Sequence, residues 1–389
     1  QTSAITEYPG EIQVLAGAYH TAGLRAFLAL DWHDLGHKHV LGPEAPFLHS
    51  LEPPLRAVAT ALFRESPPPP DRLEFRKLWD TLAGHDDGGI VLTLGPPGPY
   101  WCSDEVLADA AALTRARGLP CFLHVGETAI EARFGPHVYG EPTLVHLARI
   151  GALGPQVVCA HGIWLEDAEV AALADARASV VHNPSSNLRL GSGIANVRRL
   201  LAAGVNVALG TDSLTLDRDE DLWREMRLAL ALSRLASPQA PLSPVEVLTM
   251  ATEGGARALG LAHRRGTLQR GKDADFCVIH LSDRDLDPST LAAHLTQTAT
   301  HRDVVGVYVA GRGVMVDAVE HTEAIDRARR EALASIVHDP ARQARCTHTL
   351  QLLERHLLAY YRSWTERRDR HPAQAPPVRR EDRDADPSR

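Results

Sequence analysis

Short apolar runs alternate with amphipathic stretches over most of the chain. The runs are Ala4-Ile5-Thr6, Leu24 to Trp32, Gly89 to Leu94, Leu119 to Val125, Gln156 to Ala160, Ala178 to Val181 and Val205 to Gly210. Stretches of helical period follow several of them: Ser103 to Arg117, Pro142 to Ile150, Glu166 to Ala176 and Ile194 to Ala203. Strands alternating with helices predict βαβ units around a parallel sheet. The strand tips are polar: Asp31-Trp32-His33, Gly95-Pro96-Pro97, His124-Val-Gly-Glu127, His161-Gly162, His182-Asn183-Pro184 and Thr211-Asp212-Ser213. A (β/α)8 barrel gathers such tips on one face. A doubly wound sheet also binds ligands at strand ends, but no G-x-G-x-x-G follows any strand. The expected fold is therefore α/β, a TIM-type barrel. Seven strands can be counted, one short of closure, and the first begins within a few residues of Gln1. The expectation is that strand one lies upstream and the sequence is a fragment.

Beyond the barrel, Gly266 to Gly271 and Ala274 to Ile279 read as short strands. Val304 to Val309 with Gly311 to Met315 reads as a hairpin. The expected organisation is a barrel over 1–262, a partial β-sandwich over 263–320, C-terminal helices over 321–370 and a Pro-, Arg- and Asp-rich disordered tail over 371–389.

Composition narrows the function class. The chain has 389 residues, 44% hydrophobic and 23% charged, which is ordinary globular composition. Its formal net charge of -8 gives no basic face for nucleic acid. No apolar run approaches the roughly 20 residues that span a bilayer, and the opening residues do not read as a signal peptide. The 5 cysteines (Cys102, Cys121, Cys159, Cys277 and Cys346) are scattered and never form C-x-x-C. That argues against a disulfide framework and a thiolate zinc site, and for a reducing cytoplasm.

The candidate chemistry sits on the strand tips. His124 can ligate a divalent metal through a ring nitrogen. Glu127, three residues on, can lie beside the metal as a general base. His161 and Asp212 end two later strands. Taken singly, each has a plain alternative: a polar loop residue, a structural histidine, a helix cap. The conjunction on separate tips is harder to assign to structure alone.

From about Trp101 to Ser282 the chain resembles the amidohydrolase superfamily, in the branch of cytosine deaminase, guanine deaminase and the triazine hydrolases. The stretches that carry the likeness are His124-Val-Gly-Glu-Thr128, Leu153-Gly-Pro155, Ala160-His-Gly-Ile-Trp-Leu165, Val181-His-Asn-Pro-Ser-Ser-Asn187 through Gly193, Val205 to Ser213, Ala251 to Gly260 and Gly266 to Phe276. The resemblance implies His124 and Asp212 as metal ligands, with Asp212 also accepting a proton from the attacking water. It implies Glu127 as the proton shuttle to the substrate ring nitrogen and leaving group. His161 would hydrogen-bond the activated water or the substrate, or ligate directly. Asn183, Ser186 and Asn187 would shape their loop rather than make contacts.

The family also places an H-x-H pair at the end of its first barrel strand. His37-Lys-His39 has the letters but reads as a loop, so the pair is expected upstream of Gln1. Without it, two ligands in place of four would not hold a divalent ion tightly. Binuclear members use a carboxylated lysine at the end of strand four. Lys38, Lys77 and Lys272 are the lysines here, and none is near that position. One divalent ion is expected, zinc ahead of iron.

The implied reaction is hydrolytic deamination of a pyrimidine, purine or triazine by metal-activated water. Dechlorination or N-dealkylation on the same site is the alternative, and a non-catalytic fragment or degenerate homologue is a third. Trp101, Trp164, His33 and His137 are the substrate-binding candidates, with Asp31, Trp32, Tyr100, Phe134 and Leu214 as further pocket residues; aromatic faces suit flat rings. The expected partner is a small heterocycle. The sequence is silent on oligomeric state, although family members commonly self-associate.

Overall fold

The computed structural model describes residues 2–3, 10–35, 44–64, 72–82, 89–213, 220–281 and 288–316. Its main sheet has seven strands: β1 (Thr2–Ser3), β2 (Ala26–Leu30), β3 (Ile90–Leu94), β4 (Cys121–Val125), β5 (Val157–His161), β6 (Ser179–His182) and β7 (Asn206–Leu209). They pair in sequence order, and every pair is parallel. A doubly wound sheet reverses its order at a switch point; this one does not, which is the arrangement of a TIM-type barrel. The first strand falls on Thr2–Ser3, whereas Ala4-Ile5-Thr6 lies outside the described residues.

The strands are near-continuous apolar runs because both of their faces are covered. Leu123, Cys159, Val180 and Val207 face the surrounding helices, in one large core with Val106, Leu107, Leu144 and Leu173. The alternate positions face inward: Val158 and Ala208 cluster with Phe122, Val181 and Ala258. His124 shares the parity of Phe122, two residues earlier on β4, so the alternation that fills the interior also turns His124 into the mouth.

Loops bolt neighbouring units together. Asp34, just past β2, accepts from both Ser103 N–H (2.7 Å) and Ser103 Oγ–H (2.6 Å). Ser103 in turn caps the helix Asp104–Ala116 by accepting from Val106 N–H. At the other end of the barrel, a smaller antiparallel sheet contains β8 (Phe276–Ile279), β9 (Val304–Val309) and β10 (Arg312–Val316), in the order β10-β9-β8. The β9–β10 hairpin turns through Ala310 (φ 51°) and Gly311 (φ 75°), the paired left-handed conformation of a two-residue turn. Arg25, just before β2, reaches Asp273 (3.1 Å) and Asp275 (2.6 Å) and ties this sheet to the barrel. The segment Gly266 to Gly271 is turn and irregular backbone, not a strand. Two glycines and a charged arginine in six residues leave no alternating apolar face to bury there. The expected C-terminal helices and tail, and His37-Lys-His39, lie outside the described residues.

A π-turn, Met250–Gly254, joins the helices Pro244–Thr249 and Gly255–Ala258. It lies close against β7: Asn206 Nδ2 donates to Gly254 O (3.0 Å), and a Cβ on Gly254 would collide with Val207 O. The opposing atom is strand backbone and cannot rotate away. Gly254→Ala is therefore expected to destabilise the barrel by about 1–3 kcal/mol, the usual cost of overpacking. Chemical denaturation of both proteins checks this; equal midpoints would show that the helix can shift freely.

Candidate metal centre

The tip of β4 presents His124, and the chain then turns at Gly126 (φ 63°) to bring Glu127 over the mouth. A side chain at Gly126 would press on the end of Leu165, and the left-handed φ there is one that glycine adopts without strain. On β5, alternation would send His161 outward with Val157 and Cys159. Instead His161 takes φ 75°, and its ring turns back to within 5.6 Å of the His124 ring. Asp212, beyond β7, also has a left-handed φ, 64°. Such conformations cost a non-glycine residue of order 1 kcal/mol or more and concentrate at functional sites.

These turns bring His124, His161 and Asp212 together, with one ligand atom from each lying within 4.8 Å of the others. His161 Nε2 is 3.7 Å from Glu127 Oε2 and 3.8 Å from Asp212 Oδ2. His124 Nδ1 is 2.9 Å from Pro97 O. A carbonyl can only accept, so Nδ1 carries the proton and Nε2 keeps its lone pair. His161 Nδ1 is 2.9 Å from Asn187 Oδ1, which leaves His161 Nε2 in the same state. Burial, and then the neighbouring His161, hold the His124 pKa below its ordinary value, which also favours the neutral ring. Two carboxylates stand beside these imidazoles, and no described arginine or lysine pairs with either one. Neutral imidazoles with oriented Nδ1–H groups, plus an uncompensated carboxylate, form a donor set suited to a divalent cation.

Further residues hold this set in place. Ser186 Oγ–H donates to Asp212 Oδ2 at 2.5 Å. Ser192 Oγ–H donates to Glu127 Oε1 at 3.2 Å. Glu131 Oε2 accepts from both Glu127 N–H and the Tyr100 hydroxyl, each at 2.8 Å. His182, at the end of β6, is buried; burial and the adjacent His161 push its pKa down to about 4, so it is neutral at physiological pH.

The substrate-binding candidates scatter around the rim. Trp164 is 43% exposed, and its indole N–H donates to Ser192 O at 2.6 Å, so a fixed aromatic surface lies one residue from the contact with Glu127. His33 Nδ1 pairs with Asp31 at 2.9 Å, and that bond raises its pKa. Trp101 packs edge-on against Tyr100. His137 is half-buried on the helix Glu131–Val138. Three of the wider pocket expectations are corrected. Trp32 is fully buried and stacked on Phe75 at 4.8 Å. Phe134 and Tyr100 are buried against each other, 4.9 Å apart. All three belong to buried apolar clusters, Trp32 to the main core and Tyr100 and Phe134 to a smaller one. Leu214 lies outside the described residues. Ser186 and Asn187, expected only to shape their loop, instead contact Asp212 and His161 directly. Glu131 escaped the sequence reading; its one signal is its place four residues after Glu127.

Comparison with known proteins agrees with this geometry. The chain is 35% identical over 306 residues to the 5'-deoxyadenosine deaminase of Methanothermobacter thermautotrophicus, covering 78% of this chain and 65% of that protein. It is 35% identical over 246 residues to the 5-methylthioadenosine/S-adenosylhomocysteine deaminase of Thermococcus onnurineus, covering 63% and 58%. The chain thus spans less than two thirds of the length of these relatives. Among solved structures, an adenosine deaminase from Xanthomonas campestris with bound zinc superposes with a TM-score of 0.67 at 26% identity, over 95% of this chain and 72% of that one. The atrazine chlorohydrolase from Arthrobacter aurescens complexed with zinc gives 0.63 at 25% identity, over 82% and 68%. Residues 11–314 match the amidohydrolase family profile, and with the parallel barrel and its His/Glu/His/Asp tips this establishes that the chain belongs to the amidohydrolase family.

Proposed function

We propose that this chain is the body of a zinc-dependent hydrolase that deaminates a heterocyclic amine, with an aminopurine-type ring as the preferred substrate class. The observation that carries the reading is the convergence of two imidazole Nε2 lone pairs and the Asp212 carboxylate beside Glu127. Zinc is favoured over other ions by the nitrogen-and-oxygen donor set and by the zinc reported in the Xanthomonas and Arthrobacter structures. Lys272 donates to Ala262 O and Arg265 O, away from the cluster, which fits a single ion.

When bound, a divalent ion supplies Lewis acidity and lowers the pKa of water toward neutrality. The roles of the side chains follow from where they stand. Glu127 takes a proton from the attacking water and delivers it to the ring nitrogen next to the amine-bearing carbon. As the tetrahedral adduct collapses, the C–N bond breaks and the NH2 group leaves as ammonia after gaining one proton, the second from the attacking water, while the first stays on the ring nitrogen. The product bears an oxo group in place of the amine. Asp212 is the second proton acceptor, and His161 the partner of the attacking oxygen or a ligand. Trp164, with Trp101, His33 and His137, would contact the ring and its substituent. The relatives' names favour adenosine-like amines, and the chlorohydrolase keeps a second reading open, displacement of chloride from a triazine. The four described cysteines are free, and no described helix is long and apolar enough to cross a membrane.

Glu127→Gln is expected to lower turnover by about 10²–10⁴-fold, the range of lost acid–base catalysis, with zinc content unchanged. His124→Ala is expected to lose the zinc itself. Steady-state rates alongside metal analysis separate the two, and a fully active Glu127→Gln protein would remove Glu127 from the reaction. An ammonia-release screen over adenosine analogues, cytosine, guanine and aminotriazines should give its largest signal with the adenosine analogues. Chloride release from a chlorotriazine without any ammonia would replace the deaminase reading with the chlorohydrolase one. Inactivity on every class, together with no bound zinc, would mark a non-catalytic chain.

A further inference from the structure

Three consecutive residues after β6 each make a polar contact to a different element. Ser185 N–H donates to Glu225 Oε2 at 2.9 Å, on the helix Leu222–Ala236. Ser186 Oγ–H donates to Asp212 Oδ2 at 2.5 Å, and Asn187 Oδ1 accepts from His161 Nδ1 at 2.9 Å. Ser186 and Asn187 are each 1% exposed, and Glu225 is 0%. A buried carboxylate is costly unless hydrogen-bonded, so Glu225 fixes the start of the short helix Pro184–Leu190 tightly. That helix is closed by its own backbone: Asn187 N–H returns to Asn183 O, and Ser192 N–H to Asn187 O.

We propose that the turn Ser185–Ser186–Asn187 is the alignment device of the metal centre, with Ser186 and Asn187 as positioning residues for Asp212 and His161. This rests on the metal-centre reading given above. His161 is the last residue of β5 and Asp212 lies beyond β7, and both take a left-handed backbone conformation that breaks the alternation orienting side chains along a strand. Each therefore needs an outside partner. The Ser186 hydroxyl holds Asp212 Oδ2, the carboxylate oxygen that lies 3.8 Å from His161 Nε2, and so fixes the carboxylate beside the cluster. The Asn187 amide oxygen sets the His161 tautomer: with Nδ1 protonated, the Nε2 lone pair points toward Glu127 and Asp212. Because adjacent residues on one helical turn do both jobs, the two groups are also fixed relative to each other.

Asn187 carries a cost that supports this reading. Its Nδ2 is buried and has no hydrogen-bond partner. An aspartate would accept the same Nδ1–H without stranding a donor. It would also bring a third carboxylate beside Glu127 and Asp212. A neutral acceptor at this position sets the ring without changing the charge of the site.

The test is titration of the unmodified chain, Ser186→Ala, Asn187→Ala, Ser186→Thr and Leu188→Ala with zinc against a chromogenic chelator, and with cobalt(II) followed by its visible spectrum. Leu188 is on the same helix but 46% exposed, and controls for damage to the helix. Removing a partner that orients a ligand is expected to weaken zinc affinity about 10–100-fold. Ser186→Ala and Asn187→Ala should each show that loss and an altered cobalt spectrum. Their metal-free melting curves should match the unmodified chain. Ser186→Thr should recover most of the affinity, and Leu188→Ala should behave as the unmodified chain. Unchanged affinity and spectrum in both alanine variants would overturn the proposal while leaving the metal reading intact. Metal-free unfolding of both variants, with Leu188→Ala stable, would reduce the turn to scaffold and also overturn it. An unmodified chain that binds neither ion would overturn the reading that His124, His161 and Asp212 suffice to hold a divalent ion, and this proposal with it.

Discussion

Two Nδ1–H groups, one donated to Pro97 O and one to Asn187 Oδ1, fix which nitrogen of His124 and of His161 is free to face the mouth. Either ring in the other tautomer would point a hydrogen at the centre and could not ligate. The rest of the site is arranged around this constraint. Gly126 turns the chain after β4 at a left-handed φ. The left-handed turns at His161 and Asp212 bring side chains inward that alternation would send elsewhere. Ser192 and Glu131 hold Glu127 at one side of the pair, and Ser186 holds Asp212 at the other.

The electrostatics follow from the same arrangement. Burial lowers the His124 pKa, and burial with His161 pushes that of His182 down to about 4. No described arginine or lysine pairs with the Glu127 or Asp212 carboxylate. A cation is the group that completes such a cluster. Glu131 is half-buried, desolvation raises its pKa, and it accepts from the Tyr100 hydroxyl and the Glu127 N–H. The Tyr100–Glu131 pair, set in a small apolar cluster with Phe47, Leu51 and Phe134, is a firm floor under the proposed base.

The parallel barrel was legible in the sequence because its strands are covered on both faces and read as unbroken apolar runs. Six runs match described strands to within a residue or two at each end, β2 to β7. His124, Glu127, His161 and Asp212 were legible because each ends such a run. What escaped depends on distances that no spacing encodes. Ser186 and Asn187 gain their roles only when β6 lies between β5 and β7. Glu131 matters because a helix begins just past Glu127. Trp32 and Phe134 were misplaced for the opposite reason: a large aromatic near a strand tip can line a pocket or fill the layer beneath it, and only packing against Phe75 or Tyr100 decides which. The strand expected at Gly266 to Gly271 failed because its hydrophobic content is too thin to hold an extended segment.

The central claim is that one divalent ion belongs at the meeting point of His124, His161 and Asp212. Crystals grown with zinc, measured on both sides of the zinc absorption edge, test it most directly. The account predicts a single anomalous peak about 2.0–2.2 Å from His124 Nε2 and an Asp212 carboxylate oxygen, with the His161 and Glu127 side chains facing it. A peak elsewhere in the chain, or no peak with the four side chains placed as here, would contradict it.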